Sequence, residues 1–147
     1  MIKEGKDLTK VAPRSPKKHI GGFVIIARTI DKCRALLWGN IGEYHFDCPL
    51  DNMLFGFKGI KGDDFKAFVE QGSTDEEIAE WVKANGTPKT DEEIKVWSDT
   101  VDPMYAQNPD EGKAKWFRGE CERLGLDADT STLFDMLDAD DKASFTA

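Results

Sequence analysis

The sequence predicts an all-α domain of six or seven short helices behind an extended basic arm at residues 1–19. Three observations lead there. Phe23, Ile26, Ile30, Cys33 and Leu37 fall within a narrow arc at 100° per residue, the spacing of one helical face. Thr74-Asp75-Glu76-Glu77-Ile78-Ala79-Glu80-Trp81 recurs sixteen residues later as Thr90-Asp91-Glu92-Glu93-Ile94-Lys95-Val96-Trp97, and both carry the start chemistry of a helix. Elsewhere there is almost no period-two alternation of apolar and polar residues that would mark strands.

The arm contains Pro13-Arg14-Ser15-Pro16, and each proline restricts its own φ and biases its predecessor away from the helical region. Gly21-Gly22 opens the first helix, predicted to run to about Trp38 and to stop at Gly39. Ile25, Leu36, Val24 and Trp38 add apolar residues on its flanks, so it is apolar nearly all round and belongs in the middle of a domain. It nevertheless carries Arg28, Asp31, Lys32 and Arg34. Residues 40–47 form a loop or short extended piece. Pro49 suits the first position of the second helix, which puts Cys48 at its cap and its end near Phe57. A third helix follows Gly62-Asp63-Asp64, with Phe65, Phe68 and Val69, and closes at Gly72.

The twin segments start the fourth and fifth helices. Each has a Thr cap with Glu three residues on and acids in the first turn, which favours the dipole. Gly86 ends the first of them and Pro103 lies beyond the second. A sixth helix is predicted from about Asp110 to Leu124, with Phe117, Cys121 and Leu124 inward and Gly125 as its stop. A last short one follows Thr130, with Leu133, Phe134 and Leu137. A sixteen-residue period seen twice is too short for a helical solenoid repeat, so the likeness is one of start chemistry.

At 147 residues the chain has the size of one domain, taken as 1–147, and 9 Phe and 4 Trp supply a core. No apolar run reaches the roughly 20 residues a membrane span needs. The basic first residues have no apolar stretch behind them, as a secretory signal would require. Three Cys then read as reduced thiols of a cytoplasmic protein. Charge is uneven: residues 1–40 hold nine Lys/Arg against three acids, whereas the whole chain is at −8. The arm is expected to lie on the acidic body and be neutralised by it. Binding of nucleic acid by Lys10, Arg14, Lys17 and Lys18 is disfavoured by the overall charge and the lack of any recognition motif.

Candidate chemistry centres on the charged first helix and the segment Glu43-Tyr44-His45-Phe46-Asp47-Cys48-Pro49-Leu50-Asp51. Isolated charges are costly to bury, so those on an interior helix must be paired or bind something. Asp31 stands three residues from Arg28 and beside Lys32, and Glu43, Asp47 and Asp51 are available to Arg34. One outcome is a purely structural ion network. The other is a site at which Arg28, Lys32 and Arg34 hold a small anionic molecule or a peptide carboxylate, with Asp31 and Asp51 orienting them and Tyr44 and His45 adding hydrogen bonds. Cys48 at a helix start, with His45 three residues earlier as base, is the catalytic alternative; Asp47 and Asp51 oppose its thiolate.

A metal site from Cys33, His45 and Cys48, with His19 as fourth ligand, lacks the second close ligand pair of structural zinc. Asp127-x-Asp129-x-Ser131 with Asp135 and Asp138 copies part of a calcium loop. It has Thr132 where glycine belongs and Asp138 where a bidentate Glu belongs, and a helix should consume it. No metal or cofactor is therefore expected. Trp81 and Trp97 read as core anchors; an exposed patch bearing either would instead mark a surface for a protein partner.

The order Leu8-Thr9-Lys10, Pro13-Arg14-Ser15-Pro16, Gly21-Gly22, Ile30-Asp31-Lys32-Cys33-Arg34-Ala35, Gly42-Glu43-Tyr44 and Cys48-Pro49-Leu50-Asp51 resembles a bacterial family described as domain of unknown function 5069. It covers about residues 7–60, and the Asp-Glu-Glu-Ile-x-x-Trp segment through Trp81 is similar too. The resemblance implies a small cytosolic bacterial protein and no particular activity. It also implies that Cys33 occupies a variable position, which weighs further against a metal.

Overall fold

The computed structural model describes residues 5–145, so the first four residues of the arm lie outside the described residues. Seven α-helices and no strand occur among them, which makes the fold all-α. Contacts divide the chain into two compact units, one up to Ser98 and one from Asp99.

In the first unit, α1 (Ile26–Trp38) packs against α2 (Pro49–Lys58), α3 (Gly62–Glu70) and α4 (Asp75–Ala84). It starts later than the sequence suggests. Residues 20–23 instead close on themselves, the Ile20 N–H donating to the Phe23 carbonyl at 3.0 Å and the Phe23 N–H to Ile20 at 3.1 Å. Gly21 and Gly22 make this turn at φ 61° and 87°, values glycine reaches freely. Ile25, at φ 73°, then redirects the chain into the helix while its N–H donates to the Pro16 carbonyl at 2.7 Å. A β-branched residue in that region is strained, and the surrounding contacts must hold it there.

Gly39 ends α1 in the left-handed conformation, as expected. Every residue from Ile26 to Cys33 is buried, including Arg28, Asp31 and Lys32, whereas Leu36 and Trp38 are exposed. The helix is thus enclosed all round for its first two turns only.

The arm is laid down rather than loose. Leu8 is buried, its N–H donating to Asn40 at 2.9 Å, and Pro13 and Pro16 are also buried. Phe55 and Phe65 meet at 5.2 Å between ring centres, and Phe46 from the preceding loop stacks on Phe65. Lys58, wholly buried in the last turn of α2, donates to the carbonyls of Lys83 at 3.1 Å and Thr87 at 2.7 Å. Burial, and then the charge of Lys89, pushes its pKa down.

Both twin segments form reciprocal capping boxes. At α4 the Glu77 N–H donates to Thr74 Oγ1 and the Thr74 N–H to Glu77 Oε1. At α5 (Asp91–Thr100) Thr90 and Glu93 do the same. Trp81 and Trp97 are half-buried, in separate aromatic groups. Trp81 stacks on Phe68 with centres at 5.4 Å, and Trp97 on Phe57 at 4.6 Å.

The second unit holds a short 3-10 turn at Tyr105–Gln107, α6 (Glu111–Leu124) and α7 (Leu133–Phe145). α6 packs on the 3-10 turn and on α7, with Phe117 and Cys121 inward. Its boundaries are those expected, from an Asp110 cap to Gly125. α7 is longer than expected, and its cap is Thr132 in a box with Asp135. No helix among the described residues is long and apolar enough to cross a membrane.

Thr74→Ala and Thr90→Ala should each lower the unfolding free energy by about 1 kcal/mol, as loss of a capping side chain does. Urea denaturation of both single variants measures it; a cost near zero would show that the boxes add nothing to the helix starts.

Candidate functional site

The charged residues of α1 separate into two clusters facing different neighbours. The first ties the arm to α1 and α4. Arg14 donates to the Asp31 carboxylate through Nε and Nη2, each at 3.1 Å, while its backbone N–H reaches the same group at 2.8 Å. Its other edge holds Asp75, with Nη1 at 2.8 Å and Nη2 at 3.2 Å. A planar guanidinium bridging two carboxylates uses the geometry that makes Arg–carboxylate pairs directional. Arg34 joins from the far side, donating to Asp75 Oδ1 at 2.8 Å and to the Ser73 carbonyl at 3.0 Å. Lys6 adds a longer contact to Asp31 at 3.7 Å.

The pairings differ from those the sequence suggests. Arg14 takes Asp31 in place of Arg28, because the proline-bound arm runs along α1. Arg34 takes Asp75 rather than Glu43, Asp47 or Asp51, because the start of α4 lies against that side of α1. Neither neighbour is local in sequence. Asp75 and the bridging role of Arg14 were therefore missed, and only the basic charge of the arm hinted at them.

The second cluster lies where the 44–48 loop enters α2. Lys32 Nζ sits 2.9 Å from Asp51 Oδ1, with side chains 3% and 0% exposed. Thr29 Oγ1 donates to the same oxygen at 2.7 Å. Asp51 Oδ2 accepts from the backbone N–H groups of Asp47 at 2.9 Å and Cys48 at 3.4 Å, so one carboxylate caps the helix and neutralises the lysine. The same ammonium donates to Cys48 Sγ at 3.2 Å. Asp47 adopts φ 61°, and its carboxylate packs so closely on Gly62 that a Cβ there would approach within 2.6 Å. Among the described residues, Ile25 and Asp47 are the two non-glycine positions at positive φ, and both touch this cluster: the Ile25 carbonyl accepts from the Thr29 backbone N–H at 3.0 Å. Arg28 approaches the cluster from the next turn of α1, its guanidinium 5.4 Å from the centre of the Tyr44 ring and 3.5 Å from the Arg14 carbonyl.

Cys48 is half-buried at the cap of α2, as the sequence suggests. Its polar neighbour is Lys32, not His45, whose side chain is exposed. The loop turns through Asp47, at φ 61°, between them. Cys33 is wholly buried on α1, and burial pushes its thiol up to about 12. Among the described residues no group of three His, Cys, Asp or Glu side chains is placed to hold a metal ion. The calcium-like loop is taken over by α7, as the sequence suggests: Thr132 and Asp135 are spent on its cap.

Fold and site together define an all-α protein whose first helix carries two ionic clusters, a partly wet one at Arg14, Asp31 and Asp75 and a buried one at Lys32 and Asp51. A family model described as Domain of unknown function (DUF5069) matches residues 10–143, and the chain belongs to that family. No curated protein matches it.

Burial pushes the Asp75 carboxyl up, but Arg14 and then Arg34 outweigh it and hold the group below its ordinary 3.8. A carboxylate lowered in the folded state stabilises it above the unfolded value, and that stabilisation is lost as pH falls through the folded one. Asp75→Asn should therefore cost about 2 kcal/mol at neutral pH and flatten the loss of stability below about pH 4. Melting temperature against pH reads both, and an unchanged acid limb would rule out this linkage. For the second cluster, Asp51→Leu should cost about 3–5 kcal/mol by leaving the Lys32 ammonium buried and unpaired, whereas Lys32→Met with Asp51→Leu should recover most of it. Denaturant unfolding of the single and double variants measures the difference.

Proposed function

We propose that this chain is a binding domain for a small anionic molecule, received where the 44–48 loop crosses α1. One observation carries the reading. The buried Lys32 ammonium is matched by a carboxylate on one side and on the other only by a thiol, which is a weak acceptor. A carboxylate or phosphate oxygen is a far stronger partner for that donor, and displacing a thiol gives up little. Arg28 stands one turn away on α1 and adds positive charge, and the half-buried Cys48 and Tyr44 form the reachable edge. Asp31 and Arg34, engaged by Arg14 and Asp75, serve the arm instead. A cytoplasmic setting suits a domain whose three cysteines are all free thiols.

A second reading rests on the same 3.2 Å contact: Cys48 as a nucleophile, with Lys32 in the place the sequence suggests for His45. The thiol stands at the start of α2 with an ammonium donating to its sulfur, and Asp51 shares that lysine.

A panel of carboxylates, phosphates and nucleotides in thermal-shift measurements tests the first reading. At least one anion should raise the melting temperature of the native chain. The gain should vanish in the Lys32→Met, Asp51→Leu double variant and survive in Arg34→Lys. If no anion shifts the native chain, or if the double variant responds equally, the site is structural. Iodoacetamide alkylation tests the second: Cys48 should react more slowly in Lys32→Met, and an unchanged rate removes the nucleophile reading.

A further inference from the structure

Two reactive side chains touch where the 44–48 loop enters α2. Lys32 Nζ, on α1, donates to Cys48 Sγ at 3.2 Å. Asp51 holds the ammonium from its other side at 2.9 Å. That carboxylate is itself fixed by Thr29 Oγ1 at 2.7 Å and the Asp47 N–H at 2.9 Å. With its side chain 3% exposed, Lys32 has little room to turn away from the sulfur. Cys48 is half-buried, whereas Cys33 and Cys121 are wholly buried. Burial pushes both of those thiols up, Cys33 to about 12, which suppresses the thiolate that oxidants attack.

A cysteine oxidised to the sulfenic acid condenses with a second thiol or with a nearby backbone nitrogen. For Cys48 the backbone route through the next residue is closed, because Pro49 has no N–H. The other two thiols are enclosed in the core. The nitrogen placed on the sulfur is that of Lys32.

We propose that oxidation joins Cys48 to Lys32 through a sulfur–nitrogen bond. The oxidant is a hydroperoxide. Its O–O bond breaks, one oxygen passes to Sγ to give the sulfenic acid, and the other leaves as water or an alcohol. Sulfur is oxidised in that step and the peroxide reduced. Asp51 Oδ1 then takes a proton from the ammonium, freeing the Nζ electron pair to attack Sγ. The S–O bond breaks, and the departing hydroxide recovers that proton from Asp51 and leaves as water. Nζ gives a second proton to solvent, so the product is a neutral sulfenamide. A dithiol reverses the link, restoring thiol and amine while closing to its own disulfide. The link needs no bound anion, so a chain that takes an anion but never links overturns this inference alone.

Hydrogen peroxide treatment of the full chain, followed by intact and peptide mass measurement, tests the link. The native chain should lose the mass of two hydrogen atoms, and dithiothreitol should restore it. After proteolysis the segment holding Lys32 should be joined to the one holding Cys48. Lys32→Arg keeps a cation for Asp51 but has no amine to attack. It should abolish the link and leave Cys48 as a sulfenic acid that dimedone traps. The Lys32→Met, Asp51→Leu double variant should behave alike, and it serves if arginine does not fit the site. Cys33→Ala should link as the native chain does, which separates this bond from a disulfide between Cys33 and Cys48. A native chain that forms no link, a link that survives the loss of Lys32, or one that disappears in Cys33→Ala would each overturn the proposal.

Discussion

The first unit depends on one constraint: charges placed on an enclosed helix must be neutralised by groups that come to them. Burying a lone ammonium or carboxylate costs several kcal/mol, so α1 can be surrounded only if partners arrive from elsewhere. Arg14 brings the arm, Asp75 the start of α4, and Asp51 the start of α2. Each partner also has a local structural duty, since Asp51 caps its helix and Asp75 sits in the first turn of its own. The ionic contacts therefore act as registration points, fixing which segment lies against which side of α1. Replacing such networks by apolar groups is often neutral for stability, so directing the arrangement is the role that suits them here.

The two clusters differ in how completely they are matched. Around Asp31 and Asp75 the carboxylates meet guanidinium groups and a backbone N–H, and the side chains of Arg14, Arg34 and Asp75 remain partly wet. Around Lys32 the pairing is drier and less even, with a carboxylate on one side and a thiol on the other. Strained backbone at Ile25 and Asp47 frames that second cluster and leaves the first alone. Such strain persists only where the surroundings impose it, and it gathers where a particular side-chain arrangement is needed. That contrast favours the lysine cluster over the arginine bridge as the proposed site.

Much of the fold was legible because its signals are local. The Thr-x-x-Glu boxes announce α4 and α5, Pro49 and Cys48 start α2, and Gly39 and Gly125 end their helices, all through interactions spanning a turn or less. The start of α1 was misread for the opposite reason. Residues 20–25 carry apolar side chains at helical spacing, yet the positive φ of Gly21, Gly22 and Ile25 is set by contacts to Pro16 and Ser98. α7 is longer than a short helix closing near Leu137 because the residues beyond are mostly polar and carry no apolar period to mark them. Periodicity gives little warning of either.

The sequence by itself determined the fold class, the helix caps, and that Arg28, Asp31, Lys32 and Arg34 share an interior helix, because these follow from the period of the apolar residues and from bonds between near neighbours. Only the tertiary structure decided the partners: Arg14 for Asp31, Asp75 for Arg34, and Asp51 and Cys48 for Lys32. Charge attracts any opposite charge, so the choice among many acids was made by which helix ends and which stretch of the arm packing brings within about 3 Å.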